Sequence, residues 1–291
     1  MLLVIAAALV GGAYAGCSSC TNTKSEGTWM GPSSLGLSSY EATSSVEKTS
    51  ENGADQAADL SQASSVITAR ALFEDQEGDS KRVMAYVGVP GDESYIEGSI
   101  HLPLDQVFNE DGSVKSPAEI AALFGAAGIS ENDPLVIYGD SFVNGYDTFA
   151  FWVMKYMGHK DVVLLEGTKG GREAAGLKFV ATPTPKAPET YNPDPNLDLL
   201  ASNDQLESAQ VVDARSPAEY AAGHLEGAVN IDYSKVMGAN GIASAQSLSQ
   251  TFSGLDKNLP VVVYSSKGGQ ASIVWYALYT QGYQVSLYIL A

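Results

Sequence analysis

The chain has 291 residues, 45% of them apolar, which excludes wholesale disorder and is enough to bury the cores of two domains of ordinary size. Sixteen Lys and Arg against 34 Asp and Glu leave a formal net charge of −18, which excludes a nucleic-acid surface built on clustered cations. The same charge repels anionic small molecules wherever no local cradle of donors offsets it.

In chain order, the first element is "MLLVIAAALVGGAYAGC", an apolar run ending in small residues. It is short for a membrane span and resembles a secretory signal segment over residues 1–16. Ala13-Tyr14-Ala15 fits ordinary signal cleavage, whereas Ala15-Gly16-Cys17 resembles a bacterial lipobox with Cys17 as the lipidated first residue. The Ser/Thr-rich stretch behind it favours lipidation, with residues 17–62 as a flexible tether. This reading implies secretion across the cytoplasmic membrane. Cys17 then serves as the membrane attachment, anchoring the protein to the cell envelope at the outer membrane or periplasmic face. Cys17 and Cys20 are the chain's two cysteines; "CSSC" is followed by Thr21, so it is no haem attachment, and a metal site would need more ligands. No metal or cofactor is expected.

Residues 63–180 and 199–291 read as two α/β segments joined by a Pro-rich linker at 181–198. In the first segment, "YIEGSIHLPLDQV" (95–107) leads to a helix at 118–129, a strand at 134–140, a helix at 147–158 and a strand at 161–167. In the second, "HLEGAVNIDYSKV" (224–236) leads to a helix at 248–255, a strand at 260–266, a helix at 271–282 and a strand at 284–290. The shared order points to duplication of one unit, and continuous apolar strands alternating with helices predict small parallel sheets flanked by helices on both faces. After 161–167 the first segment continues into "TKGGREAAGLKFV", while the second stops at Ala291. That predicts an exposed sheet edge, a covering partner, or a shortened chain.

"VVDARSPAEYAAGHLEGAVNIDY" (211–233), followed by "VVVYSSKGGQASIVWYALYTQGYQV" (261–285), resembles the signature and active loop of rhodanese domains. The whole of 66–291 is similar to the two-domain sulfurtransferases of that family, with a degenerate first domain. The resemblance implies a Cys at the start of the loop, which takes sulfane sulfur from thiosulfate as a persulfide, and a loop Arg that attracts the anion. Here the Cys position falls on Ser265 and the Arg position on Gln270. An oxygen carries no persulfide, so the loop Ser265, Ser266, Lys267, Gly268, Gly269 and Gln270 is read as having no catalytic residue. Ser265, Lys267, Gly268, Gly269 and Arg215 remain as anion-binding candidates, because backbone amides at a helix start hold anions unaided.

Four further groups bear on the reading. His224 would have to lie beside Ser265 to form a triad, but in the signature its place is structural. Asp213 and Arg215 form a turn and ion pair near the loop. In the first segment Val87-Gly88-Val89 replaces the Asp-x-Arg turn, and the loop "YGDSFVNGYD" (138–147) offers Asp140, Ser141 and Asp147 without a thiol or a base, its acids read as helix-capping and solvated. Trp275, Tyr276 and Tyr279 follow helical spacing and read as core and rim. The expectation is a catalytically inactive, extracytoplasmic binding or scaffold protein with an unidentified protein partner. The alternative is a sulfurtransferase that uses an external or unrecognised thiol.

Overall fold

The computed structural model describes residues 66–72, 82–88, 94–140, 142–239, 241–266 and 268–290. The signal segment, the tether, Cys17, Cys20, Ser141 and Lys267 lie outside them. The first unit contains β1 (Val66–Ile67), β2 (Val83–Tyr86), β3 (Tyr95–Ile96), β4 (Ile100–His101), α1 (Pro117–Ala126), β5 (Leu135–Tyr138), α2 (Tyr146–Tyr156), β6 (Val162–Leu165), α3 (Lys169–Ala174) and β7 (Phe179–Val180). The second contains α4 (Asn203–Leu206), β8 (Gln210–Asp213), α5 (Pro217–Ala222), β9 (Val229–Asn230), β10 (Met237–Gly238), β11 (Gly241–Ile242), α6 (Ala245–Thr251), β12 (Val261–Ser265), α7 (Gly269–Thr280) and β13 (Val285–Ile289).

Each unit is an α/β layer around a parallel sheet. The first sheet has the order β1-β6-β5-β2-β4 and the second β13-β12-β8-β9, with every pairing parallel. Leu200 forms a parallel bridge to Leu287 on the outer side of β13, and Ala201 donates its N–H to the Leu287 carbonyl at 2.8 Å. This edge of β13 is therefore covered by residues just past the linker, in the place that β1 takes in the first sheet. Main-chain donors along an edge strand need partners, and the preceding few residues are near enough to supply them.

Side chains alternate across both sheets, as a period of two requires. In the first, Ala85, Leu135, Ile137, Val162 and Leu164 face α2, while Met84, Tyr86, Val136, Tyr138 and Leu165 face the layer of α3, β3 and β7. In the second, Val212, Val261, Val263, Val285 and Leu287 face α7. Val211 and Tyr264 face the opposite side, under Leu206, Tyr220 and Leu225. The two inner faces and the helices between them form one continuous apolar cluster.

Local signals place the helices. Ser116 and Ser216 each make a capping box with a glutamate three residues on, ahead of Pro117 and Pro217 at the first helical positions. The helix expected at 248–255 starts earlier, because the Ser244 hydroxyl caps it by accepting the Ser247 N–H at 3.3 Å. α2 and α7 are buried on nearly every side, mostly through apolar residues, and residues 269–278 of α7 are all buried. They pack on each other through Phe151, whose ring meets Tyr276 edge-on at 5.0 Å.

The tightest point of that contact is Gly145, which precedes α2 with φ +71°. A Cβ there would stand 2.8 Å from the Gly269 carbonyl oxygen. Gly145→Ala should therefore destabilise the protein by about 2 kcal/mol, through left-handed strain and this close approach. The shift is read from the urea midpoint at unchanged slope; an unaltered midpoint would mean that the two helix starts separate freely.

Candidate functional site

The carboxyl end of a central parallel strand, opening into a helix, is where such sheets bind ligands. In the second unit β12 ends at Ser265, which is fully buried. Its Oγ accepts the N–H of Gly268 at 3.1 Å and of Ala271 at 3.2 Å. Gly268 makes the turn into α7 with φ +85°, and the first-turn N–H groups of Gly269 and Gln270 have no acceptor within the helix. The result is a ring of amide donors at a helix N-terminus, with a serine hydroxyl seated in it. Both lone pairs of that oxygen are engaged, and no described side-chain base bonds it, so Ser265 is not an activated nucleophile. Ser266 is exposed, Gln270 is 3% exposed, and the Gln270 Oε1 has no hydrogen-bond partner.

Arg215 belongs to another group. Its Nε lies 2.9 Å and its Nη2 2.5 Å from the Asp213 carboxylate, and Nη2 also donates to the Gly223 carbonyl at 2.7 Å. Tyr264 donates its hydroxyl to Asp213 Oδ2 at 2.7 Å, on the sheet face opposite α7. Arg215 is thus drawn into the turn that closes β8, and among the described residues its side chain bonds Asp213 and the Gly223 carbonyl. Burial alone would push the Asp213 carboxyl up, but hydrogen bonds from Arg215 and Tyr264 outweigh it and hold the group below the usual carboxylate range. His224 is exposed, stacked on Tyr220 at 3.8 Å with Nδ1 at 2.9 Å from the Tyr220 carbonyl, so no triad forms. Trp275 and Tyr276 are core, and Tyr279 is half-buried at its rim.

The first unit's strand end differs in one substitution and one import. Gly139 stands where the second unit has Ser265, and a Cβ there would collide with Asp147 Oδ1. Asp147 was expected to be a solvated loop acid, yet it is fully buried on the first turn of α2, and neither oxygen has a hydrogen-bond partner. The chain bends it inward because the left-handed turn at Gly145 aims this part of α2 back at β5. Asp140 is exposed and accepts the Tyr86 hydroxyl at 2.8 Å. Sequence reading found no cation here, but α3 supplies one. Arg172, 1% exposed, donates to the carbonyls of Gly139 at 2.6 Å and Leu165 at 2.8 Å. Its sequence distance from the loop hid it; the closing segment "TKGGREAAGLKFV" was the only signal.

A cleft of about 580 Å³ separates the units elsewhere, with Phe151, Lys155, Tyr276 and Tyr279 on its walls and none of the loop residues. Among the described residues no group of three or more His, Cys, Asp or Glu side chains converges as metal ligands, and no helix is long and apolar enough to cross a membrane.

Parallel sheets under two helical layers, with a ring of helix-start amides at the end of a central strand, define an α/β protein whose strand end carries the candidate site. Residues 196–291 match the model of the rhodanese-like domain. A putative thiosulfate sulfurtransferase of Saccharopolyspora erythraea is 29% identical over 180 residues, covering 54% of this chain and 64% of its own length, so the chain spans less than two thirds of that relative. The sulfur carrier protein TtuD of Thermus thermophilus is 32% identical over 199 residues, covering 58% of this chain and 69% of its own. Among solved structures, SseA from Escherichia coli, described as having the rhodanese fold of 3-mercaptopyruvate sulfotransferases, superposes with a TM-score of 0.70 at 18% identity over 78% of this chain and 98% of its own. The chain belongs to the rhodanese-like family.

The pair at β8 carries a pH prediction. A carboxyl held below its unfolded value stabilises the fold above that value, and the contribution is lost as pH falls through the folded one. Asp213→Asn should cost about 3 kcal/mol near neutral pH, with the gap to the parent shrinking below about pH 4. Urea unfolding across that range reads it; a gap independent of pH would mean the charge of Asp213 is immaterial.

Proposed function

We propose that the chain is a tandem rhodanese-like protein whose second unit holds a sulfur-bearing anion, or the sulfur group of a partner, without carrying sulfur itself. The observation that carries this reading is the hydroxyl of Ser265 seated among the amides of Gly268 and Ala271, in a chain with no cysteine between residues 21 and 291. Sulfane transfer by a loop residue needs a thiolate to attack the donor and keep the sulfur as a persulfide, and a hydroxyl does neither. An acidic surface keeps free anions at a distance, which suits an anion delivered by a partner protein better than one captured from solution.

A second reading has the relatives in its favour. Proteins named as thiosulfate sulfurtransferases, and a sulfur carrier protein, align along much of this chain. In that reading the protein is a sulfurtransferase in which a thiol from another molecule attacks the sulfane sulfur, sulfite leaves, and the new persulfide departs on the incoming thiol. The cradle then serves only to hold the donor.

The two are separated on the full chain carrying Cys17→Ser and Cys20→Ser, assayed for release of sulfite from thiosulfate with cyanide or glutathione as acceptor. The binding reading expects no release above the protein-free rate with either acceptor, and release restored by Ser265→Cys. Release accelerated by the thiol-free protein with glutathione would overturn it and make the protein an enzyme. The extracytoplasmic, lipid-anchored placement is proposed on the Ala15-Gly16-Cys17 pattern. It expects a mature protein beginning at Cys17 with the mass of a diacylglycerol adduct; a mature chain beginning at Gly16 with unmodified thiols would remove the anchor.

A further inference from the structure

Asp147 is a group the fold could have done without. A fully buried carboxylate with no well-formed hydrogen bond on either oxygen, and only the nearby Gly139 N–H and Arg172 to offset its burial, is costly when charged, whereas buried carboxylates are ordinarily paired or hydrogen-bonded. The charged groups around it are Arg172 on α3 and Asp140 after β5. Tyr86 on β2, Tyr138 on β5 and Tyr146 at the start of α2 close the same end of the sheet, and Glu166 after β6 offers its carbonyl to Arg172 Nε at 3.3 Å. Arg172 directs its donors to the carbonyls of Gly139, Leu165 and Glu166, and none bonds the carboxylate.

From Asp147 an unbroken series of contacts leads to Ser265. The residue after Asp147, Thr148, shares a 2.8 Å hydrogen bond with Ser272 of α7. The single Ser272 hydroxyl proton has the carbonyls of Gly269 at 2.8 Å and Gly145 at 3.2 Å as its acceptors within reach. Gly145 itself is packed on Gly269. The first turn of α7 that receives these contacts supplies the two amides that hold Ser265.

We propose that Asp147 is a proton-operated latch: while uncharged it keeps the start of α2 seated against Gly139, and on losing its proton it lifts that turn away and loosens the amide cradle at Ser265. The two states differ in definite contacts. The closed one buries a neutral carboxyl. The open one lets the carboxylate reach water or Arg172, at the expense of the Gly145–Gly269 and Thr148–Ser272 contacts. Burial, opposed by Arg172 and the nearby Gly139 N–H and reinforced by Asp140, pushes the Asp147 carboxyl up to about 7. A carboxyl raised above its unfolded value makes the closed state lose stability as pH rises from about 4, and the loss is complete once pH exceeds the folded value. The latch stands whether or not the cradle takes part in sulfur transfer.

Hydrogen–deuterium exchange of the full chain, from about pH 5.5 to about 8.5 and corrected for the intrinsic rate of each amide, tests it. Peptides from 142–156 and from 265–280 should lose protection together as pH rises to about 7 and level off above it, and Asp147→Asn should leave both flat. Protection in the parent that ignores pH, or that falls equally in the Asn variant, overturns the latch; loss confined to 142–156 overturns its reach to Ser265. Should the variant fail to fold, the carbon-13 resonance of the Asp147 carboxyl in the parent decides, and a titration midpoint near the ordinary value of about 4 overturns the proposal.

Discussion

α2 and α7 lie side by side between the two sheets, and nearly every residue of both is buried, so neither unit can complete its inner face without the other. Two helices of this kind have no polar side to turn to water, and separating them would expose a continuous apolar cluster. The position of each strand-end loop follows from this packing. Each loop runs directly into the first turn of its helix, and those first turns meet at Gly145 and Gly269. The two candidate sites are therefore not independent features on separate domains but the two ends of one buried junction.

At that junction the same backbone motif has been filled in two ways. In the second unit the residue that ends the strand supplies its own oxygen, and the amides of Gly268 and Ala271 are satisfied by Ser265. In the first unit the corresponding residue is Gly139, and the vacated space is taken by a carboxylate from the next turn of chain, with Arg172 brought alongside by the closing segment. A hydroxyl in an amide ring is a settled arrangement, because donors and acceptor match. A carboxylate without donors is not, and its protonation state decides what it costs.

Much of the architecture was legible along the chain. Alternation between apolar strands and helices, repeated in both halves, identified parallel sheets, and "VVDARSPAEYAAGHLEGAVNIDY" pointed to the family. The place of Ser265 could be read because strand, loop and helix are contiguous there. The Asp213–Arg215 turn and ion pair was legible too, but nearness in sequence to the signature says nothing about which face of the sheet Arg215 serves; its partners are Asp213 and the Gly223 carbonyl. What covers the edge of β13 was not legible for a similar reason, since main-chain pairing by Leu200 leaves no mark in side-chain pattern.

By itself, then, the sequence determined what is local: the strand and helix periods, the capping boxes at Ser116 and Ser216, and the absence of a thiol from residue 21 onward, which settles that no persulfide forms on this loop. Only the tertiary structure decided that Asp147 is buried, that Arg172 stands behind it, and that Ser272 ties one loop to the other. Burial and desolvation depend on what the rest of the chain packs around a group. An aspartate beside a glycine-containing turn reads the same in sequence whether water or a second sheet closes over it.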